Sequence, residues 1–179
     1  MYDIITLRRS VRKYSDKMVS DDDIRKIIDA GLTAPSGGNS QPWHFTVIKN
    51  KSKQNELVEI CKKEFVEKGS EWRKNWAKQE NFNPFYDPSV IIVISNKTDV
   101  ELSNEDCCFA IENMVLMAES LGLSSCIIRD ICWAINKNNQ EDYGIPKEYD
   151  CFMCVSIGYC ETKINKPKTL DYSKVNFVN

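Results

Sequence analysis

Residues 34–45 read Ala34-Pro35-Ser36-Gly37-Gly38-Asn39-Ser40-Gln41-Pro42-Trp43-His44-Phe45. A structural turn needs one or two residues of the proline, glycine and amide kinds. This segment concentrates two prolines, two glycines and several amide and hydroxyl side chains, and it runs directly into an apolar strand over residues 43–49. A stiff, polar backbone of this kind is suited to presenting hydrogen bonds to a flat, heteroatom-rich ligand. On its N-terminal side Pro35 closes a helix, because the residue before a proline avoids the helical region. That helix opens at Ser20, an N-cap residue followed by three aspartates that the helix dipole favours, and it carries Ile24, Ile27, Ile28 and Leu32 at helical spacing.

Further along, residues 53–67 read as an amphipathic helix with Leu57, Ile60, Cys61 and Phe65. Residues 89–95, Ser-Val-Ile-Ile-Val-Ile-Ser, form a β-branched run expected of a strand buried on both faces. Residues 105–122 give the longest helical pattern. Phe109, Ala110, Asn113, Met114, Met117, Ala118 and Leu121 wind around much of its circumference, as in a helix buried centrally or at a subunit interface. A short helix over 2–8, a short strand over 125–128, a short helix over 133–142 and a last core strand over 151–159 complete the pattern. The fold class is therefore α+β over a single domain, residues 1–179, with a small, mainly antiparallel sheet flanked by helices. Residues 160–179 read as an extended polar tail. Residues 69–88 carry Trp72, Trp76, Phe82, Phe85 and Tyr86 in a long connection, and long connections of this kind are often functional, here a candidate lid over a substrate pocket.

Charge and composition exclude several classes. The formal net charge of −2 with no basic stripe argues against nucleic-acid binding. No apolar run approaches the roughly 20 residues of a membrane span. Residues 1–8 lack a basic region ahead of an apolar one, so the expected location is the cytoplasm. Eight cysteines invite a metal or redox reading, but in a reducing cytosol they are expected to be free thiols. The C-x-x-C pair Cys151-Phe152-Met153-Cys154 lies in a strand, where residues three apart point to opposite faces; sharing a metal or a disulfide would take a local break. No metal site is expected. No G-x-G-x-x-G follows a strand and no G-x-x-x-x-G-K-[ST] occurs, so a nucleotide-like cofactor must be held by side chains.

Two basic clusters offer those side chains. Arg8-Arg9-Ser10-Val11-Arg12 places three guanidiniums and a hydroxyl within five residues. They suit a phosphate, or equally a solvated helix end. Lys166-Pro167-Lys168 puts two amines on one side of an extended segment, either a phosphate clamp or a soluble tail.

Taken together in order and spacing, Arg-Arg-Ser-x-Arg, Pro-Ser-x-x-Asn-x-Gln-Pro-Trp and Lys-Pro-Lys resemble the nitroreductase family of FMN-dependent oxidoreductases. So do the helix around Ala110-Ile111-Glu112-Asn113-Met114 and the strand Ser156-Ile157-Gly158-Tyr159. The resemblance extends from Asp3 to about Lys168. It implies an intertwined homodimer with the 105–122 helix at the interface and two FMN sites there. Arg8, Arg9 and Ser10 would hold the phosphate and ribityl chain, with Lys166 and Lys168 completing the clamp. Arg12 would stabilise the anionic reduced ring. Pro35, Ser36 and Asn39 would reach the flavin of the partner subunit, and Gln41 would brace their loop. Where many family members carry glycine near the ring, residues 126–131 have none, and a backbone N–H of Ile128 or Arg129 is expected to serve instead. Arg12 and Arg129 would modulate the chemistry, which resides on FMN rather than on a catalytic side chain. His44, the only histidine, is read as structural.

The implied activity is transfer of reducing equivalents from NADH or NADPH to a small electron-poor acceptor: a nitroaromatic, a quinone or an activated alkene. The alternatives are a dedicated-substrate flavin enzyme of the same fold, such as a dehalogenase, and a flavin-binding electron carrier served by a protein donor.

Overall fold

Every residue of the strand Val90–Asn96 is buried. The other elements are arranged around it in a computed structural model that describes residues 1–162 and 168–178. In chain order these are α1 (Tyr2–Leu7), α2 (Asp21–Leu32), β1 (Trp43–Ile48), α3 (Lys51–Lys68), α4 (Glu71–Ala77), β2 (Val90–Asn96), α5 (Ser103–Ser120), β3 (Ser124–Ile128), α6 (Ile131–Ala134) and β4 (Asp150–Gly158). The strands form one sheet in the order β1-β2-β4-β3, and its strand pairs are antiparallel.

The β-branched run of β2 explains the layering. Val90, Ile92 and Ile94 face one core, built with Ile24 and Ile27 of α2 and with Ala110, Met114 and Ala118 of α5. Ile91 and Val93 face a second core with Leu57, Cys61 and Phe65 of α3 and Ile131 of α6. Alternate side chains of one strand thus serve two helical layers, and residues 90–94 are all apolar because neither face meets water. The α2 cap forms as the sequence predicts: the Ser20 hydroxyl accepts the Asp23 N–H at 3.1 Å. On α5 the broad apolar arc is only partly used within one chain, since Ala110 and Met114 are fully buried while Phe109 stays half exposed.

Three expectations are corrected. First, residues 133–142 do not form one helix. The helix Ile131–Ala134 stops at an extended Ile135, and a separate 3₁₀ turn spans Gln140–Tyr143. Asparagine side chains cause the break: Asn139 donates to the Ala134 carbonyl at 2.8 Å and accepts the Asn136 N–H at 2.8 Å, competing with helical bonds. Second, the long connection read over residues 69–88 is interrupted by a helix, α4. Third, Cys151 and Cys154 do not face opposite sides. The β2–β4 register shifts between Ile94 and Ser95, which pair with Met153 and Cys151 and leave Phe152 as the extra residue of a β-bulge. Phe152 and Met153 then both turn to the first core, while Cys151 and Cys154 both turn to the second.

Candidate functional site

The basic segment is stitched to the outer edge of β3. Ser10 forms a parallel bridge with Ser125, and the Val11 N–H donates to the Ser125 carbonyl at 2.9 Å. Behind it, the Tyr14 hydroxyl lies 3.0 Å from the Val11 carbonyl and 3.1 Å from that of Ser156, both acceptors. Burial raises the Tyr14 pKa, so this donor keeps its proton. Gly158 makes the approach possible: a Cβ there would come within 2.8 Å of the Tyr14 ring.

The three arginines then separate. Arg9 donates to the carbonyls of Thr6 at 2.8 Å and Arg8 at 2.7 Å, closing the C-terminal end of α1. Its guanidinium is therefore tied to backbone, a role the sequence does not distinguish from phosphate binding. Arg8 and Arg12 form no ion pair with any carboxylate among the described residues. Both nevertheless bear on one thiol, since their charges oppose the burial that raises the Cys126 pKa. Arg12 also lies over the Tyr86 ring, 5.8 Å from its centroid. The Ser10 hydroxyl is exposed beside them. Two convergent guanidiniums without acidic partners, plus a hydroxyl, form a donor set for a phosphate or other dianion. A cavity of about 310 Å³, lined by Arg9, Ser10, Arg12, Lys13 and Thr162 among others, opens at this segment; Arg8 is not part of its lining. Lys168 is exposed, and Lys166 lies outside the described residues.

Through Tyr86 this cavity adjoins a second one of about 430 Å³, lined by Trp72, Asn75, Trp76, Gln79, Tyr86 and Asp130. Three of the five predicted lid aromatics therefore line a pocket. Phe82 and Phe85 do not: they are 6% and 1% exposed and pack in the second core. Their apolar rings are drawn inward against Phe65, which Phe82 meets edge-on at 5.7 Å. Tyr86 adopts a φ of 64°, a left-handed conformation that carries its ring outward again.

Strand parity decides between Ile128 and Arg129. The Ser125 carbonyl points outward, to Val11, whereas Ile128 pairs with Cys154 of β4. Backbone polar groups alternate in a strand, so the Ile127 N–H faces the open edge, the Ile128 N–H is turned to β4, and Arg129 continues the outward series where β3 ends. The expectation for Ile128 is corrected accordingly. The Arg129 guanidinium itself stacks on Phe152 at 5.3 Å, away from Arg12.

The loop over residues 35–42 lies at the other edge of the sheet, leading into β1. It is held from below by Asp106 of α5, whose carboxylate accepts the Gly37 N–H at 3.1 Å and the Ser40 hydroxyl at 3.3 Å. Gln41 braces the loop, donating from its side-chain amide to the Asn39 side chain at 3.1 Å and from its backbone N–H to the Ser36 hydroxyl at 3.0 Å. Gly38, Asn39 and Gln41 all have positive φ, an arrangement that costs a glutamine on the order of 1 kcal/mol. Asp106 is 2% exposed and was not legible as a loop anchor. Asp106→Ala is expected to lower stability by about 2 kcal/mol, the worth of a hydrogen bond to a buried charge, and Asp106→Asn by less. Urea unfolding of both variants checks this; an unchanged midpoint for the alanine variant would detach the loop from α5.

The two halves of the predicted site thus sit at opposite edges of one sheet. Four strand spacings separate the loop before β1 from the segment beyond β3, roughly 19 Å. His44 is not part of either half. Its ring packs on Tyr149 at 5.3 Å, and partial burial lowers its pKa, keeping it neutral. Among the described residues no cluster of histidine, cysteine and acidic side chains has the geometry to hold a metal ion, and no helix is long and apolar enough to cross a membrane.

A family model described as "Nitroreductase family" matches residues 5–159. A protein of Archaeoglobus fulgidus provisionally named NADH dehydrogenase/NAD(P)H nitroreductase is 34% identical over 164 residues, which is 87% of this chain and 83% of that protein. An iodotyrosine deiodinase of Thermotoga neapolitana is 27% identical over 133 residues, 70% of this chain and 71% of that one. Among solved structures, a nitroreductase with bound FMN from Bacteroides fragilis superposes with a TM-score of 0.90 at 32% identity, over 99% of this chain and 98% of that one.

Proposed function

This chain belongs to the nitroreductase family, and we propose that it acts as a single FMN-binding domain, an oxidoreductase passing reducing equivalents from NADH or NADPH to a small electron-poor acceptor. The observation that carries this reading is the pair Arg8 and Arg12, without a carboxylate ion pair among the described residues, with Arg12 lying over Tyr86 at the edge of an aromatic-lined pocket. FMN, when bound, would supply the redox chemistry between nicotinamide and acceptor. Arg8 and Ser10 would hold its phosphate and ribityl chain, and Lys168 would add charge; Lys166, proposed for the same clamp, lies outside the described residues. Arg12 places a fixed positive charge where the reduced ring is anionic. The outward N–H series of β3, ending at Arg129, offers a donor to the ring. Trp72, Trp76 and Tyr86 give the acceptor flat apolar faces, which favours nitroaromatics and quinones over aliphatic molecules.

Pro35, Ser36, Asn39 and Gln41 complete the site from a second copy of the chain. One chain holds its loop and its arginines at opposite sheet edges, and the half-exposed Phe109 on α5 supplies apolar surface for a two-fold contact. The state that fits this reading is a homodimer, and the location proposed for it is the cytoplasm.

The visible spectrum of the purified protein, followed anaerobically with NADH and then NADPH, is the test. The expected result is a yellow protein bleached by at least one nucleotide and recovering its colour with a nitroaromatic or quinone. A colourless protein that takes up no added FMN would overturn the reading. The similarity to an iodotyrosine deiodinase favours a second one, reductive dehalogenation of a halogenated phenol. It predicts reoxidation of the bleached protein by a halotyrosine with release of halide, and slow turnover of nitroaromatics.

A further inference from the structure

We propose that Cys132 of α6 and Cys151 of β4 form a redox-active dithiol that hydrogen peroxide closes to a disulfide. The two Sγ atoms lie 3.8 Å apart, although 19 residues separate them in sequence. The bulge at Phe152 creates this pair: it turns Cys151 to the face that α6 covers. Of the cysteines on that face, Cys61 and Cys154 are fully buried, whereas Cys132 and Cys151 keep some exposure, so a small oxidant reaches them first. Closing the bond shortens the separation by about 1.8 Å. Cys132 sits in a helix of four residues that ends at an extended Ile135, an element short enough to follow.

The two thiols are not equivalent. As a thiol, Cys132 donates toward the Cys151 and Phe152 carbonyls at 3.1 and 3.0 Å; once it is deprotonated, the Cys151 S–H can donate to the thiolate and the Arg129 guanidinium adds its charge, so the Cys132 pKa falls below that of an ordinary thiol while that of Cys151 rises. Cys132 is therefore the nucleophile. Its thiolate attacks one peroxide oxygen, the O–O bond breaks, and the departing hydroxide takes a proton to become water. The Cys151 sulfur then attacks the sulfenic sulfur of Cys132; the S–S bond forms, the S–OH bond breaks, and a second water leaves with the Cys151 proton. Two thiols and one peroxide give one disulfide and two waters. Cys132 follows Asp130, which lines the aromatic pocket and pairs with Arg73 at 3.1 Å. The oxidised pair thus ties a wall of that pocket to β4.

Peptide mapping of the purified, flavin-loaded protein tests this. After brief exposure to a small excess of hydrogen peroxide, the protein is quenched in acid, alkylated under denaturing conditions and digested with trypsin. The expected product joins peptides 130–137 and 148–163, two hydrogens lighter than their sum, and dithiothreitol separates them. Fragmentation must place the link at Cys151, because Cys154 and Cys160 share its peptide. In Cys151→Ser, dimedone should trap a sulfenic acid on Cys132. Complete alkylation of Cys132 and Cys151 after peroxide, or a link from either to another cysteine, overturns the proposal. The wild-type map decides the matter even where the serine variant fails to fold.

Discussion

The double variant Arg8→Ala, Arg12→Ala is expected to fold normally and to bind FMN at least a hundredfold more weakly. Each guanidinium lost removes charge-assisted hydrogen bonds worth about 1.5–3 kcal/mol. Two together give about 3–6 kcal/mol, a factor of about 10² to 10⁴ in affinity. Folding should be untouched, because neither side chain forms an ion pair with a carboxylate among the described residues. Arg9→Ala is the informative contrast. It removes the donors to the Thr6 and Arg8 carbonyls, so it should cost about 1 kcal/mol of stability and leave most of the flavin in place. Flavin fluorescence titration and thermal melts, made on all three proteins, separate the two effects. Salt provides a second axis: the wild-type affinity should fall as ionic strength rises, and that of the double variant should respond much less. Equal FMN affinity in wild type and double variant would remove these arginines from the site.

How far the sequence discloses this arrangement depends on whether a feature is local. The run at β2, the Ser20 cap and the helix ending before Pro35 are local patterns, and they fold as read. The α+β class follows from their order. The break after Ala134 is local too, but it rests on which asparagine bonds which backbone group, and helical spacing does not carry that information. The bulge at Phe152 depends on the partner strand, where the register slips beside Ile94, so residues 151–154 alone read as a plain alternation with two cysteines on opposite faces.

The candidate site divides in the same way. Its motifs are visible as residue types, and the arginine cluster and the polar loop both fall at exposed edges of the sheet. Which members matter is set by distant partners. Arg9 is set apart from Arg8 and Arg12 by its bonds to the Thr6 and Arg8 carbonyls, and Ile128 from Arg129 by strand parity relative to β4. Asp106 lies 69 residues from the Gly37 amide it holds. A buried carboxylate under a loop of exposed N–H and hydroxyl groups is a tertiary fact with no periodic signature.

Phe65→Ala is expected to lower stability by about 3–5 kcal/mol, the range for deleting a buried aromatic ring, out of a total of about 5–15 kcal/mol. Phe65 is fully buried. It meets Trp133 at 5.4 Å, Phe82 at 5.7 Å and Trp76 at 6.0 Å, and the Arg73 guanidinium lies 5.4 Å from its ring centre. The ring therefore joins α3 to α6 and to the aromatic segment after α4. Phe65→Leu, which keeps most of the volume, should cost less than about 1.5 kcal/mol. The functional consequence follows from the next contact outward. Trp76 meets Trp72 at 5.4 Å in a tilted arrangement, and both indoles line the 430 Å³ pocket. Loss of Phe65 lets Trp76 sink into the space left behind, so the acceptor KM should rise while FMN content is retained. Trp72→Ala isolates that functional share, because Trp72 is 63% exposed and its removal should change stability by no more than about 0.5 kcal/mol. Urea midpoints and acceptor KM for these three variants should show a lowered midpoint and a raised KM for Phe65→Ala, values near wild type on both for Phe65→Leu, and a raised KM with a midpoint near wild type for Trp72→Ala. A Trp72→Ala protein with unchanged KM for every acceptor would show that this pocket does not receive the substrate.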